Sequence, residues 1–303
     1  MDESKSLINC VRSLSHSSGF YNLTSCPFNS EMFVSSFKDA SSVERVSLLS
    51  FSGDNLSVHS DLVSNLNNVC SIFWESDQTI CVAHKEGVGL HAEGVCVNFF
   101  PLMNCVSAVS DPNCPFTIAA CSSKSVFLWD TRSGDHSYEF LTNHLPRITC
   151  IDANPNLPNI YVTGGGDGRV MFWDVRSTRD PLKSMDLAHR HHVKSVKYNP
   201  VHDQLILSSG TDCAVNLFSL PSIASSPGRF PSMMEKRYRP GRHPVLSPKE
   251  DTWPTEGGLV QAISRHEDSV YALCWTSAWS FASLSHDGIL LINSVQDKYR
   301  QVV

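Results

Sequence analysis

The hydrophobic pattern of this chain is one of short runs. Around TGGGDGRVMFWDVRS, from Thr163 to Ser177, two β-branched and aromatic runs, IYV and RVMFW, flank three glycines and an aspartate. Neither run has helical spacing, so the pattern predicts a strand, a glycine turn carrying Asp167, and a strand ending in Trp173-Asp174. A phosphate-cradling loop would have to open a helix, whose N–H groups hold the anion. No Gly-Lys-Ser/Thr follows, and the GxGxxG spacing fails at Arg169.

The same pattern recurs. AACSSKSVFLWDTRSG ends in Trp129-Asp130, ILSSGTDCAVNLFSL puts Asp212 where Asp167 stood, and FASLSHDGILLINSV does so with Asp287. Three of these units follow a histidine and an alternating strand: HLPRITCIDANP from His144, HRHHVKSVKYNP from His189, HEDSVYALCW from His266. His144 and His189 are 45 residues apart, as are Asp167 and Asp212. A period of about 40–45 residues with four short strands per unit belongs to β-propellers. Asp212 and Asp287 are 75 residues apart, an excess of 30 that falls on the proline-, serine- and arginine-rich stretch 221–258. That stretch is expected to be a disordered insertion loop between the last two blades. VCSIFWESDQTICVAHKEGVGLHA reads as a weaker second unit with His84 near the aspartate position, and GFYNLTSCPFNSEMFVSSF as strands of a first. The expectation is an all-β fold, a single propeller domain over 1–303 with six recognisable blades of an expected seven and an incomplete first blade. The terminal DKYRQVV is expected to close the ring as a strand.

These residues resemble the WD-repeat family, in which a His, a Ser or Thr, an Asp and a Trp form a hydrogen-bonded network within each blade. The resemblance implies a full set at His144, Thr163, Asp167 and Trp173. A second set, His189, Ser208 and Asp212, has Phe218 for the tryptophan, and a third, His266, Ser283 and Asp287, has Asn293. A Ser, His and Asp together could also be a nucleophilic triad. Here the trio recurs at blade spacing, as a scaffold would, and a buried carboxylate needs such donors.

Composition narrows the classes. With 303 residues, 41% hydrophobic and 18% charged, the chain can bury a substantial core. No apolar run approaches the roughly 20 residues of a membrane span, and MDESKSLINCVRSL lacks the basic start and apolar core of a secretory signal. The eleven cysteines contain no CxxC pair and read as buried free thiols. A net charge of −6 argues against general nucleic-acid binding. His189, His191 and His192 could ligate a metal, but His189 is already assigned and no acidic or CxxC partner is near, so no metal or cofactor is expected. The basic segment Met233–Pro244 reads as solvated loop, or as a contact for acidic lipid or protein.

VKYNPVHDQLILSSGTD, the insertion, and RHEDSVYALCWTSAWSFASLSHDGILLINSV together are similar to the EARP and GARP complex-interacting protein family (TSSC-type WD-repeat proteins). HEDSVYA, the FASLS-x-DG pattern and Asn293 in the tryptophan place carry the resemblance, supported by VHDQLIL and VMFWDVRS. Two features depart from it: family members carry further N-terminal strands, and their insertion is acidic where this one is basic. The resemblance implies a non-enzymatic scaffold that helps recruit vesicle-tethering complexes in endosomal recycling and trans-Golgi trafficking. It would act as a monomeric propeller, cytoplasmic and peripheral to those membranes. Arg147, Arg169, Arg190, His192, Glu267 and Asp268, in the loops and glycine turns of one face, are the candidate partner contacts. The alternative comes from WDTR and WDVR, whose Arg132 and Arg176 occupy the position that WD-repeat receptors of cullin-based ubiquitin ligases use on their linker subunit.

Overall fold

The computed structural model describes residues 20–38, 41–52, 55–76, 78–133, 136–225 and 258–300. They form six antiparallel sheets, each a meander of consecutive strands, which is the blade construction of a β-propeller. Sheet 1 comprises Phe20–Ser25, Met32–Lys38, Glu44–Ser52 and Asn55–Leu66. Sheet 2 comprises Val69–Trp74, Thr79–His84, Gly87–Ala92 and Val95–Pro101. Cys105–Ser110, Thr117–Ser122, Ser125–Asp130 and His136–Leu141 make sheet 3. Sheet 4 is Ile148–Ala153, Ile160–Gly165, Val170–Asp174 and the short Lys183–Met185. In sheet 5 the strands are Val193–Tyr198, Leu205–Gly210, Val215–Ser219 and Gly258–Ile263. Sheet 6 has three: Val270–Ser277, Ser280–Ser285 and Leu290–Ser294.

Contacts divide the chain into two compact units, with sheets 1 and 2 in the first, sheets 4 to 6 in the second, and sheet 3 shared between them. Within the first unit, Val34, Val46 and Leu48 of sheet 1 pack on Ile72, Ile80 and Val82 of sheet 2. The other face of sheet 2, through Cys81, Leu90 and Phe100, packs on Ala108, Ile118 and Trp129 of sheet 3. In the second unit Val162, Val170 and Phe172 meet Val193, Val196 and Tyr198, and Leu207, Val215 and Leu217 meet Val270, Leu273 and Phe281. A middle strand covered on both faces cannot alternate, which is why Ile160–Gly165 and Leu205–Gly210 are buried throughout. The first strand of every sheet carries a register shift at its second residue, as between Ile148 and Cys150 and between Val193 and Ser195. Such a bulge bends the strand and re-aims the residues that follow.

Four expectations need correction. Sheet 1 holds four strands and is not an incomplete blade. Its outer pair, Glu44–Ser52 and Asn55–Leu66, is rich in serine and held by a backbone ladder with three register shifts, so apolar patterning did not reveal it. Among the described residues, sheet 6 is the one with three strands, and Asp297–Arg300 of the expected closing strand is a helical turn. Its Arg300 guanidinium pairs with Asp297 at 3.1 Å. The insertion interrupts sheet 5, between its third and fourth strands, and does not separate two blades. Its first residues form a 3-10 turn at Pro221–Ile223, with Ser225 bonded to Asp203; residues 226–257, including Met233–Pro244, lie outside the described residues. Finally, His84 ends a strand opposite Val69, in the register held by Gly165 in sheet 4, and Glu86 is the acid of that turn.

Candidate functional site

Sheets 4, 5 and 6 each carry a histidine four residues before the first strand, a hydroxyl in the second, and an aspartate in the turn after it. In sheet 4 the chain of bonds is complete. His144 Nδ1 lies 3.0 Å from Asp167 Oδ1, His144 Nε2 2.9 Å from Thr163 Oγ1, and Trp173 Nε1 donates to the same Oγ1 at 2.9 Å. Burial pushes the His144 ring below the ordinary histidine range, so it is neutral. A carboxylate only accepts, so Nδ1 bears the proton and Nε2 accepts from the Thr163 hydroxyl, whose oxygen then receives the indole N–H. Burial pushes Asp167 upward, but the Leu145 N–H, His144 and the Arg169 N–H outweigh it and hold the carboxyl below its usual range.

Space at the turn is limited. A Cβ on Gly165 would come within 2.2 Å of His144 Nδ1 and 2.3 Å of Asp167 Oδ1. Gly168 has φ +77°, and a Cβ there would meet the His189 carbonyl at 2.3 Å. The glycines that suggested a phosphate loop instead seat a histidine–aspartate pair and the neighbouring sheet's connection.

Sheet 5 keeps the pair: His189 Nδ1 is 2.9 Å from Asp212 and Nε2 is 2.7 Å from Ser208 Oγ. Phe218 takes the indole's place, buried in the core between sheets 4 and 5. Sheet 6 departs. Ser285 stands in the register of Gly165 and Gly210, donates its hydroxyl to the Asp287 carboxylate and accepts from His266 Nδ1–H at 2.9 Å, and so separates the two. His266 Nε2 reaches Ser283 at 2.7 Å. Asn293, opposite Phe281, leaves its buried Nδ2 without a hydrogen bond. Sequence reasoning missed Ser285, although SLSHDG beside TGGGDG and SSGTDC shows the serine where glycine stood.

Ser208, His189 and Asp212 have the spacing of a nucleophilic triad, but Ser208 is 0% exposed and its hydroxyl faces only the histidine. The side chains that are accessible belong to the rim. Arg147, Arg169, Arg190, His192 and Glu267 are exposed, and Asp268 is half-buried. The network fixes their backbones: Arg190 N–H donates to Asp212 at 2.9 Å, Arg169 N–H to Asp167 at 3.1 Å, and the Arg147 carbonyl accepts from Gly166 at 2.8 Å. His192 closes on the same turn, its Nδ1 3.0 Å from where a Gly166 Cβ would stand. Arg169 pairs with Asp186 at 3.7 Å and Asp268 with His286 at 3.4 Å. Arg132 and Arg176 each clamp the aspartate two residues before them. Arg132 reaches Asp130 through Nε at 3.0 Å and Nη2 at 2.6 Å, and Arg176 reaches Asp174 at 2.9 and 2.7 Å. The Arg132 fork holds Asp130 down to a pKa of about 2. Among the described residues, no helix is long and apolar enough to cross a membrane.

Residues 91–218, which span the sheet 4 network and that of sheet 5, match the family model described as EIPR1 beta-propeller. "EARP and GARP complex-interacting protein 1" of Rattus norvegicus is 38% identical over 180 residues, 59% of this chain and 46% of the relative. Over residues 91–218 the chain is similar to this propeller family. "EARP-interacting protein 1" of Caenorhabditis elegans is 35% identical over 185 residues, covering 60% of this chain and 49% of that protein. "WD repeat-containing protein DWA2" of Arabidopsis thaliana is 28% identical over 243 residues, 78% of this chain and 61% of the relative. The chain spans about half the length of the first two relatives it matches.

Proposed function

We propose that this chain is a non-enzymatic scaffold that binds EARP- or GARP-type tethering complexes and helps recruit them in endosomal recycling and trans-Golgi trafficking. On this reading it works from the cytoplasmic side of those membranes, without cofactor, metal or nucleic acid. The observation that carries the reading is the match to the propeller family model over the segment that builds the sheet 4 and sheet 5 networks, together with relatives named for interacting with those complexes. The geometry supports it, because a rim of charged side chains on a hydrogen-bonded frame is pre-organised for protein contact. Arg147, Arg169, Arg190, His192, Glu267 and Asp268 are the proposed contacts.

Affinity purification of the tagged chain from cells tests this. Tether subunits are expected to co-purify, and an Arg147→Glu, Arg190→Glu double variant should lose them while melting where the parent melts. Recovery of a cullin linker subunit with no tether subunit would replace this reading by the ligase-receptor alternative. That alternative is less favoured, because Arg132 and Arg176 already spend their paired donors on Asp130 and Asp174.

A further inference from the structure

The bulge in a first strand can also tie one sheet to the next. In sheet 4 the extra residue is Thr149, between Ile148 and Cys150. Its Oγ1 lies 2.9 Å from the Gly164 carbonyl of its own second strand and 2.6 Å from the Val193 carbonyl of sheet 5. Val193 begins the first strand of sheet 5, so one hydroxyl joins three strands.

Sheet 2 repeats this geometry with different chemistry. Cys70 is the extra residue between Val69 and Ser71, which pair with His84 and Ala83. Its Sγ lies 3.3 Å from the Ala83 carbonyl, in the place of Gly164, and 3.9 Å from Cys105 Sγ. Cys105 begins the first strand of sheet 3 and so holds the position of Val193. A bulge re-aims its side chain, and here it carries one thiol to another. Both residues belong to the first unit.

The two sulfurs are not equivalent. Cys70 is half-buried, whereas Cys105 is 5% exposed. Contact with Cys70, and then burial, push the Cys105 thiol far above its ordinary range, so of the pair Cys105 keeps its proton. Cys70 is therefore the sulfur that ionises first, and it is the more accessible one. Cys81 and Cys121, close by, are both 0% exposed.

We propose that Cys70 and Cys105 form a reversible disulfide between sheets 2 and 3 when the protein meets hydrogen peroxide. The Cys70 thiolate attacks one peroxide oxygen and the O–O bond breaks. Cys70 becomes a sulfenic acid, and the hydroxide released takes up the proton that Cys70 had lost. Cys105 Sγ then attacks Cys70 Sγ, the S–O bond breaks, and the second oxygen leaves as water with the Cys105 proton. Two thiols have given up two electrons, and one peroxide has become two waters. The sulfurs have only to close from 3.9 Å to about 2.0 Å. The step uses neither the rim of the second unit nor a tether subunit, so it stands or falls apart from the proposed function.

Tandem mass spectrometry of the full chain tests it, after peroxide treatment, alkylation in denaturant and digestion with pepsin at low pH, where thiols do not exchange. A Cys70–Cys105 linked peptide is expected, about 2 Da lighter than its two reduced parts, and dithiothreitol should release it. Recovery of both cysteines alkylated, or as sulfinic acids with no link between them, would overturn the proposal. So would a link from Cys70 to Cys81, Cys121 or the exposed Cys96 in preference to Cys105. Cys105→Ser keeps the attacked sulfur and removes the resolving one, so dimedone labelling of Cys70 should rise severalfold over the parent. Labelling no greater than the parent's would mean that Cys105 does not intercept the sulfenic acid. Cys96→Ser should leave the link intact, and its loss there would count equally against the pair.

Discussion

Sheets 4 to 6 and sheets 2 and 3 share one strand plan but finish their sheet ends differently. In sheets 4, 5 and 6 the second strand carries Thr163, Ser208 and Ser283, opposite Ile151, Val196 and Leu273. In sheets 2 and 3 the same register holds Val82 and Ala120, opposite Ile72 and Ala108. All five are essentially buried. Where a hydroxyl is present, the turn is long enough to bring an aspartate back towards a histidine, directly in sheets 4 and 5 and through Ser285 in sheet 6. Where it is absent, the turn shrinks to two residues, Lys85-Glu86 and Ser123-Lys124, and no aspartate is needed. The apolar stack between sheets is common to both groups; the polar network is an addition that pins a longer loop. It follows that the motif marks how a sheet end is tied, and that a blade can exist without it.

The largest expected effect tests the apolar half of this comparison. Trp173 is fully buried, its ring 5.5 Å from Phe140, and Trp173→Ala should cost about 3–5 kcal/mol in chemical denaturation, out of a usual margin of about 5–15. A variant that unfolds at the parent's denaturant midpoint would mean that this blade is not packed as described. Exchanging the two kinds of sheet end comes next. Thr163→Val leaves the His144 Nε2 and the Trp173 Nε1–H without partners, at about 1–3 kcal/mol for each buried group. Val82→Thr should also destabilise, by a similar amount for one hydroxyl placed in the apolar core of Val46, Ile72 and Ile80. If either change is neutral, the two ends are interchangeable and the comparison fails.

A smaller change should convert sheet 6 towards the pattern of sheets 4 and 5. In Ser285→Gly the intervening hydroxyl is gone, Asp287 can approach His266, and NMR titration should show the His266 pKa rising. An unmoved pKa would indicate that the turn holds the two apart without the serine. The gentlest test is pH. Burial lowers His144 and His189 below their unfolded value of about 6.5, so the unfolded chain binds more protons as pH falls through that value. Asp167 and Asp212, held low in the fold despite burial, act in the same direction below about 3.8. Melting temperature should therefore be at its plateau above pH 6.5 and decline on acidification, less steeply when His189→Gln removes one contributor. A flat profile between pH 7 and 5 would contradict the buried neutral histidines.

Much of sheets 4 and 5 was legible from residue order, because histidine, hydroxyl, aspartate and aromatic recur at 45 residues and each answers to a local bond. Sheet 1 was not, because its outer strands Glu44–Ser52 and Asn55–Leu66 join by backbone bonds that serine-rich side chains do not advertise. The insertion's place was misjudged for a related reason: Gly258–Ile263 completes sheet 5 by pairing with Val215–Ser219 across 38 intervening residues, and that pairing has no local signature.

By itself the order of residues determined the class of fold, the repeat and the network of sheet 4, since alternation, turn chemistry and paired polar groups act over a few residues. Only the tertiary structure decided that Ser285 would part His266 from Asp287, and that Lys38 and Lys85 would share a cleft with Glu44 and Glu86. Those outcomes depend on distances between strands and on which donor reaches an acceptor first, and spacing along a chain does not carry that information.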